Sequence, residues 1–201
     1  MNEETKRALI RRLSESDLDI TAVAAGASGI WCFGSRAAGC ARVDSDWDVL
    51  VVTRAPVLES RIRRAGLDLV NVRFAELDAW TSTELAAHVA AYGVRIDHGR
   101  ELTLRSVPTA AAPRKCAVVN GRAQTLNAMW TGLQPGQRRR ETLRLRRDLH
   151  RAWLLTQGAS IPPTATLERE WRSSPRRARA AILDLIPLPQ KIARAIAQPD
   201  D

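Results

Sequence analysis

Apolar and polar positions follow two different periodicities along this chain. The segments Ile30 to Phe33 and Asp46 to Val52 are rich in β-branched and aromatic residues, which predicts two largely buried strands. Leu67 to Val72 alternates apolar with polar residues and predicts a third, half-buried strand. Other segments repeat apolar residues at helical spacing. The predicted helices are 2–18, 56–65, 76–91, 116–133, 137–155, 164–172 and 175–186, with a further short strand at 94–96.

The order of these elements predicts two domains. Strands and helices are mixed up to residue 106, whereas only helical spacing follows residue 113. Residues 107–113 contain two prolines and small side chains, which is typical of a linker. We therefore predict an α/β (α+β) domain at 1–106, with a mixed sheet and flanking helices, a linker at 107–113 and a helical bundle at 114–201.

Two carboxylates lie where the second strand begins. Side chains at i and i+2 of a strand point to the same face, so Asp46 and Asp48 are expected to project together. Like charges at such a separation require a cation, and oxygen ligands suit Mg²⁺. Asp68 would join them if its strand pairs beside the strand of Asp48, since an Asp in a half-buried strand is costly elsewhere.

A turn ahead of these carboxylates has the composition of a phosphate site. Gly34 permits a sharp bend and a close backbone approach. The amides of Ser35, Arg36 and Ala37 would then open a helix whose first turn attracts anions. A metal ion and these amides could hold one polyphosphate between them.

The three segments together resemble the nucleotidyltransferase signature of the DNA polymerase β superfamily. The run from Phe33 to Gly39 and the sequence Ser-Asp-Trp-Asp ending at Asp48 are especially similar to bacterial minimal nucleotidyltransferases and antibiotic-modifying ones. The resemblance covers about residues 20–98. It implies a polymerase-β-like fold and an enzyme that transfers a nucleoside monophosphate from an NTP, with ATP the expected donor, to an acceptor hydroxyl with release of pyrophosphate.

The resemblance also implies a role for each site residue. Asp46 and Asp48 would hold two Mg²⁺ ions, and Asp68 would ligate the metal that activates the acceptor and take its proton. Gly34, Ser35 and Arg36 would bind the nucleotide, Ser35 and the turn amides orienting its β and γ phosphates while Arg36 adds a positive contact. In the alternatives, these residues only form turns before ordinary strands, or the domain binds nucleotide without reacting.

Charge is spread unevenly between the two halves. Residues 1–100 carry 13 Lys or Arg against 14 Asp or Glu, whereas residues 101–201 carry 18 against 8. A basic second half favours an anionic acceptor such as RNA, with a partner protein or a small molecule as other candidates, over a cationic aminoglycoside. It also supports the runner-up function, a nucleic-acid or partner-binding module without catalysis. Arginines at helical spacing form one stripe, either an anion-binding wall or a solvated face: Arg140, Arg144, Arg147 and Arg151.

The cysteines and the N-terminal residues indicate the expected cellular compartment of the protein. Cys32, Cys40 and Cys116 are odd in number and lack the spacing of metal ligands, which fits free thiols in a reducing compartment. The first twelve residues are charged rather than apolar, and glycines interrupt the uncharged stretch 20–35. These features predict a cytoplasmic protein without a membrane span. The preferred NTP, the oligomeric state and the pathway have no signal in the sequence.

Overall fold

The computed structural model describes residues 3–14, 27–54, 61–64, 66–97 and 102–198. Its contacts divide the chain into two compact units, Met1–Val107 and Pro108–Asp201. The first unit contains a mixed sheet with flanking helices and the second consists of helices, so the predicted fold class is confirmed.

The first unit is built on a five-stranded sheet. Its strands are β1 (Ala27–Phe33), β2 (Trp47–Thr53), β3 (Arg61–Arg64), β4 (Leu67–Arg73) and β5 (Val94–Arg95). They lie in the order β3-β4-β2-β1-β5, and β2 and β4 run parallel while the other neighbours are antiparallel. Among the described residues of this unit, the α-helices are α1 (Glu3–Ser14), the single turn α2 (Gly34–Ala37), α3 (Leu77–Trp80) and α4 (Glu84–Tyr92).

Both faces of the sheet are covered by apolar side chains. Leu9 and Leu13 of α1 pack on the face that carries Trp47, Val49 and Val51. The opposite face carries the alternate residues of β2, Leu50 and Val52, and packs against α3 and α4. A strand buried on both sides has apolar residues at nearly every position, which is why 49–52 reads as one continuous apolar run.

The predicted helix at 56–65 is wrong where the structure describes it, because Arg61–Arg64 forms β3. This strand pairs antiparallel with β4, so that Arg63 lies opposite Asp68. Ile62 packs against the α1 side of the sheet, while its arginine neighbours are exposed. Pairing with a neighbouring strand and partial burial of Ile62 outweigh the helical propensity of arginine. Residues 55–60 lie outside the described part of the chain.

The second unit contains α5 (Pro108–Met129), α6 (Pro135–Thr156), α7 (Thr164–Ser173), α8 (Arg176–Leu183) and α9 (Gln190–Ala197). Its core joins Val119 and Leu126 of α5 to Leu145 and Leu149 of α6 and to Trp171 of α7. Ile182, Ile192 and Ile196 from the last two helices complete this core.

The predicted linker at 107–113 requires correction, because residues 108–113 are the first turns of α5. Pro108 occupies the first helical position, where a backbone N–H would have no intrahelical acceptor. Pro113 lies inside the helix and removes one backbone hydrogen bond there. Ala111 and Ala112 are buried, so packing compensates for the loss. None of the described helices is both long enough and apolar enough to cross a membrane.

Candidate active site

Strand register brings two of the predicted carboxylates side by side. In the parallel pair formed by β2 and β4, Asp48 lies directly opposite Asp68. Residues paired in this way project from the same face of a sheet. Asp46 precedes β2 by one residue and is exposed, while Trp47 between the two carboxylates is buried in the opposite core. The condition under which Asp68 was expected to join Asp48, that their strands are neighbours, is therefore met.

The glycine turn makes close contact with Asp48. Gly34 has a φ of +71°, in the left-handed region that favours glycine. A Cβ atom at Gly34 would lie only 2.1 Å from Oδ2 of Asp48. The absence of a side chain at this position therefore lets the carboxylate lie against the backbone of the turn.

A histidine that the sequence reasoning missed fixes the same turn. The backbone N–H of Gly34 donates a hydrogen bond of 3.3 Å to Nε2 of His88 on α4. The imidazole lies edge-on to Phe33 and stacks on Tyr92, with ring centroids 6.1 and 5.7 Å away. His88 belongs to no recognisable sequence motif. Its position in the middle of a mostly apolar helix is the one feature of the sequence that could have indicated a role.

Asp68 already has cationic partners. Arg61 on β3 binds both carboxylate oxygens, with 2.8 Å from Nε to Oδ1, and Nε of Arg63 lies 3.6 Å from Oδ2. The Arg61 hydrogen bonds lower the pKa of Asp68, an effect that Arg63 reinforces. Asp68 is thus stabilised in its charged form without a metal ion. The helix predicted over 56–65 hid this pairing from the sequence reasoning.

Asp48 is in the opposite electrostatic situation. The pKa of Asp48 is raised to about 6. Burial is the largest cause, and the negative charges of Asp68 and Asp46 contribute to the same shift. A half-buried carboxylate whose neighbours are also negative is a place where a divalent cation would be favourable. Within the described residues, however, no three acidic, histidine or cysteine side chains are gathered closely enough to form a metal site. Asp46 and Asp48 have the oxygen donors that Mg²⁺ prefers, and metal binding by them stays a prediction. Asp68 is paired with Arg61.

Arg36 lies at the turn but contacts the protein itself. Its guanidinium donates to the carbonyl oxygen of Ser45, at 2.6 Å from Nη2, and to that of Val43, at 3.3 Å. The same group lies 4.4 Å from the ring centroid of Trp47. Arg36 thereby holds the loop immediately before Asp46. Its predicted contact with phosphate stays a prediction, as does the one at Ser35, which lies in the helical turn α2.

A comparison with family models supplies the decisive observation. Residues 22–98 match the model of the nucleotidyltransferase domain. This part of the chain is similar to the nucleotidyltransferase domain family. The predicted resemblance to the polymerase-β-like superfamily is confirmed, and the match supports nucleotidyl transfer in general, with an NTP as substrate. No curated protein matches the chain.

The arginine stripe of the second unit is largely engaged with acidic neighbours. Arg144 binds Glu141 at 2.8 Å and Arg147 binds Glu168 at 3.2 Å. Arg151 lies 3.6 Å from Asp148 and donates to Oγ1 of Thr164 at 3.1 Å. Arg140 is exposed. Asp148 is shared with Lys115 and Arg122, and Glu168 with Arg172, so these ion pairs engage the stripe within its own unit and neutralise only part of its charge. This engagement favours the solvated face over a bare anion-binding wall.

Proposed function

We propose that this protein transfers a nucleoside monophosphate from an NTP, with ATP the expected donor, to an acceptor hydroxyl and releases pyrophosphate. The observation that carries the proposal is the contact between the Gly34 turn and Asp48. Nucleotidyl transfer requires a phosphate-binding turn to lie beside a metal-binding carboxylate. Because Gly34 has no side chain, the Asp48 carboxylate can lie against the turn. The family match over 22–98 supports the same reaction class.

In this proposal Asp46 and Asp48 would hold two Mg²⁺ ions, and these ions would neutralise charge on the triphosphate. Ser35 and the amides of α2 orient the β and γ phosphates. Arg36 positions Asp46 through its hydrogen bonds to the Ser45 carbonyl, so we assign it a positioning role in addition to the predicted phosphate contact.

Asp68 serves the acceptor side of the reaction. It lies beside Asp48 in the register of β2 and β4, where it can complete the metal site and take the proton of the acceptor hydroxyl. Its hydrogen bonds with Arg61 lower its pKa and make it a weak base. We therefore propose that Arg61 gives up part of this contact when substrate and metal bind, which would raise the basicity of Asp68.

One observation favours a second candidate, a nucleotide-binding module that binds nucleic acid or a partner protein through its basic helical half and does not react. Asp68 is bound by Arg61 and Arg63, and the described residues contain no preformed three-ligand metal site. A permanent Asp68–Arg61 pair would leave the site able to hold a nucleotide but without a base. Catalytic turnover distinguishes the two functions.

The test is transfer of label from each α-labelled NTP, with Mg²⁺ and cell extract as the source of acceptor. We expect one extract fraction to take up label as pyrophosphate is released, and Asp46→Asn or Asp48→Asn to abolish both. Asp68→Asn should retain nucleotide binding and lose transfer by orders of magnitude. Asp44→Asn is the matched control, since Asp44 is an exposed carboxylate in the same loop.

The outcomes separate the candidates. Nucleotide binding by the wild type without pyrophosphate release in any fraction would favour the module. Undiminished transfer by Asp48→Asn in metal-replete buffer would refute the assignment of the metal ligands.

A further inference from the structure

Helix α4 covers the face of the sheet from which the two facing carboxylates project. Phe33 at the end of β1 lies opposite Asp48 of β2, which in turn lies opposite Asp68 of β4. Residues paired across strands project from the same face, so the Phe33 ring and both carboxylates form one row across the sheet. Leu50 lies on this face as well, in the same apolar cluster as Val89 of α4. Side chains of α4 can therefore reach the end of this row.

One side chain of α4 binds the glycine turn that follows Phe33. The backbone N–H of Gly34 donates to Nε2 of His88 at 3.3 Å. Since a backbone N–H can only donate, Nε2 is the acceptor and carries no proton. An imidazole that is protonated at both nitrogens has no acceptor for Gly34, so this hydrogen bond requires the neutral ring with its proton on Nδ1.

The imidazole is held by two aromatic rings. The Phe33 ring meets it edge-on, with centroids 6.1 Å apart, and the Tyr92 ring stacks on it, with centroids 5.7 Å apart. Ala87 and Val89, the neighbours of His88 in the chain, are 0 % and 1 % exposed. A side chain that is fixed by packing and carried on a buried helix positions its partner more precisely than one on a loop. The glycine turn is thus bound to a firmly packed element.

Gly34 contacts both this histidine and Asp48. Its N–H is bound by His88, and a Cβ atom added to it would lie 2.1 Å from Oδ2 of Asp48. Any shift of the turn therefore changes its spacing from the carboxylate. We propose that His88 is a positioning residue for the nucleotidyl transfer, which holds the Gly34 turn against Asp48 and so keeps both at the spacing that nucleotide binding requires. The inference rests on the proposed function, and His88 acts through Gly34 without touching the reacting groups.

A purely structural role for His88 leads to a different expectation. A backbone N–H that is removed from water needs a hydrogen-bond partner, and His88 supplies one. If that were its whole contribution, loss of the acceptor would lower stability and leave the nucleotide site unchanged. The two roles are therefore separated by measuring the site and the stability in the same variants.

Three variants make this separation. His88→Leu keeps a side chain of similar volume but has no acceptor, whereas His88→Gln retains a carbonyl oxygen that can reach the Gly34 N–H. Leu85→Ala is the control for packing, because it weakens the contact of α4 with the sheet and leaves the acceptor in place. Thermal unfolding gives the stability of each protein, and the comparison is made at a temperature where all are folded.

The first measurements are the affinity for ATP with Mg²⁺, by calorimetry, and the release of pyrophosphate with the extract fraction that takes up label. We expect His88→Leu to weaken ATP binding several-fold and to lower transfer at saturating ATP about ten- to a hundredfold, since a displacement of about 1 Å can cost about 10²-fold in rate. His88→Gln should restore most of both losses, and Leu85→Ala should show neither. Wild-type values in His88→Leu, equal losses in the two His88 variants, or losses of the same size in Leu85→Ala would overturn the proposal.

A second measurement does not depend on activity. Amide hydrogen exchange by NMR reports on the Gly34 N–H, which we expect to exchange up to about tenfold faster in His88→Leu than in the wild type, because that is the worth of one hydrogen bond. The ¹⁵N shifts of the His88 ring should show Nδ1 protonated and Nε2 unprotonated. A proton on Nε2 in the wild type would overturn the proposal, and this result needs no variant to fold.

Failure of the transfer and failure of the role of His88 are distinguishable. If the wild type binds ATP but releases no pyrophosphate with any fraction, the proposed transfer fails, and the ATP affinities of the variants still decide the role of His88. Loss of affinity in His88→Leu with recovery in His88→Gln would then make it a positioning residue of a nucleotide-binding site. Equal affinities would refute that role, and a wild type that binds no ATP would refute both.

Discussion

A pair of glycines allows the contact between the turn and Asp48 to be tested separately from backbone strain. Gly34 and Gly39 have nearly the same φ, +71° and +69°. A Cβ atom at Gly39 would meet nothing within 4 Å, whereas one at Gly34 would lie 2.1 Å from Oδ2 and 2.9 Å from Cγ of Asp48. Alanine at either position thus introduces similar strain, and only Gly34→Ala displaces the carboxylate.

The expected magnitudes follow from these distances. Alanine in the left-handed region costs about 1–2 kcal/mol, so both variants should lose a similar amount of stability from strain. Restoring a tolerable separation at Gly34 requires Asp48 Oδ2 to move by about 1 Å, and a displacement of that size in a reacting group can cost about 10²-fold in rate. We therefore expect transfer to fall about a hundredfold in Gly34→Ala and to change little in Gly39→Ala.

Pyrophosphate release at saturating NTP and Mg²⁺ gives the rate, and thermal unfolding of both variants gives the cost of strain. The comparison is meaningful at a temperature where both proteins are folded. Equal losses of activity in the two variants would mean that strain in the turn, and not the position of Asp48, controls the reaction. Normal transfer by Gly34→Ala would refute the reasoning altogether.

Three further predictions concern the charges. In metal-free buffer Asp48→Asn should stabilise the fold by on the order of 1 kcal/mol, after discounting for solvent screening. Because the pKa of Asp48 in the folded protein is raised to about 6, the wild type loses stability as pH rises from about 4 through 6 and this carboxyl ionises. The gain in melting temperature should therefore be larger at pH 8 than at pH 4. Arg61→Ala should raise the pKa of Asp68, visible by carboxylate NMR in metal-free protein, and an unchanged pKa would show that Arg63 alone suffices. If RNA is the acceptor and the stripe contacts it, the Arg144→Ala, Arg147→Ala double variant should flatten the salt dependence of RNA binding, whereas equal slopes would remove the stripe from the site.

The strands that carry the carboxylates could be predicted from sequence because their signals are local. Continuous apolar runs predicted β1 and β2, and alternation predicted β4. The i and i+2 rule placed Trp47 on the face opposite Asp48, as observed. The pairing of β2 with β4 was only a condition in the sequence analysis, and the helix predicted between these strands is replaced by β3 where the structure describes it.

The partners of the site were harder to predict because they depend on tertiary pairing. Arg-Ile-Arg-Arg at 61–64 has no strong strand signal, and only its pairing with β4 makes it a strand. His88 approaches the Gly34 turn from an element more than fifty residues later in the chain. Arg36 follows the glycine directly, but nothing in its sequence context indicates that it donates to Ser45 instead of pointing to a ligand. Residues 108–113 resemble a linker in composition, yet two buried alanines make them helical.

The surroundings of Asp68 favour its charged form and those of Asp48 oppose ionisation, and this difference suggests the order in which metal and substrate bind. Asp68 receives hydrogen bonds from Arg61, which favour its charged form, whereas burial and neighbouring negative charge oppose ionisation of Asp48. A divalent cation is therefore expected to gain most by approaching Asp48 with Asp46, where it relieves an unfavourable interaction between negative charges. Binding to Asp68 must compete with Arg61 and is expected to follow. A substrate that draws Arg61 away through its own phosphates would couple nucleotide binding to the release of the base.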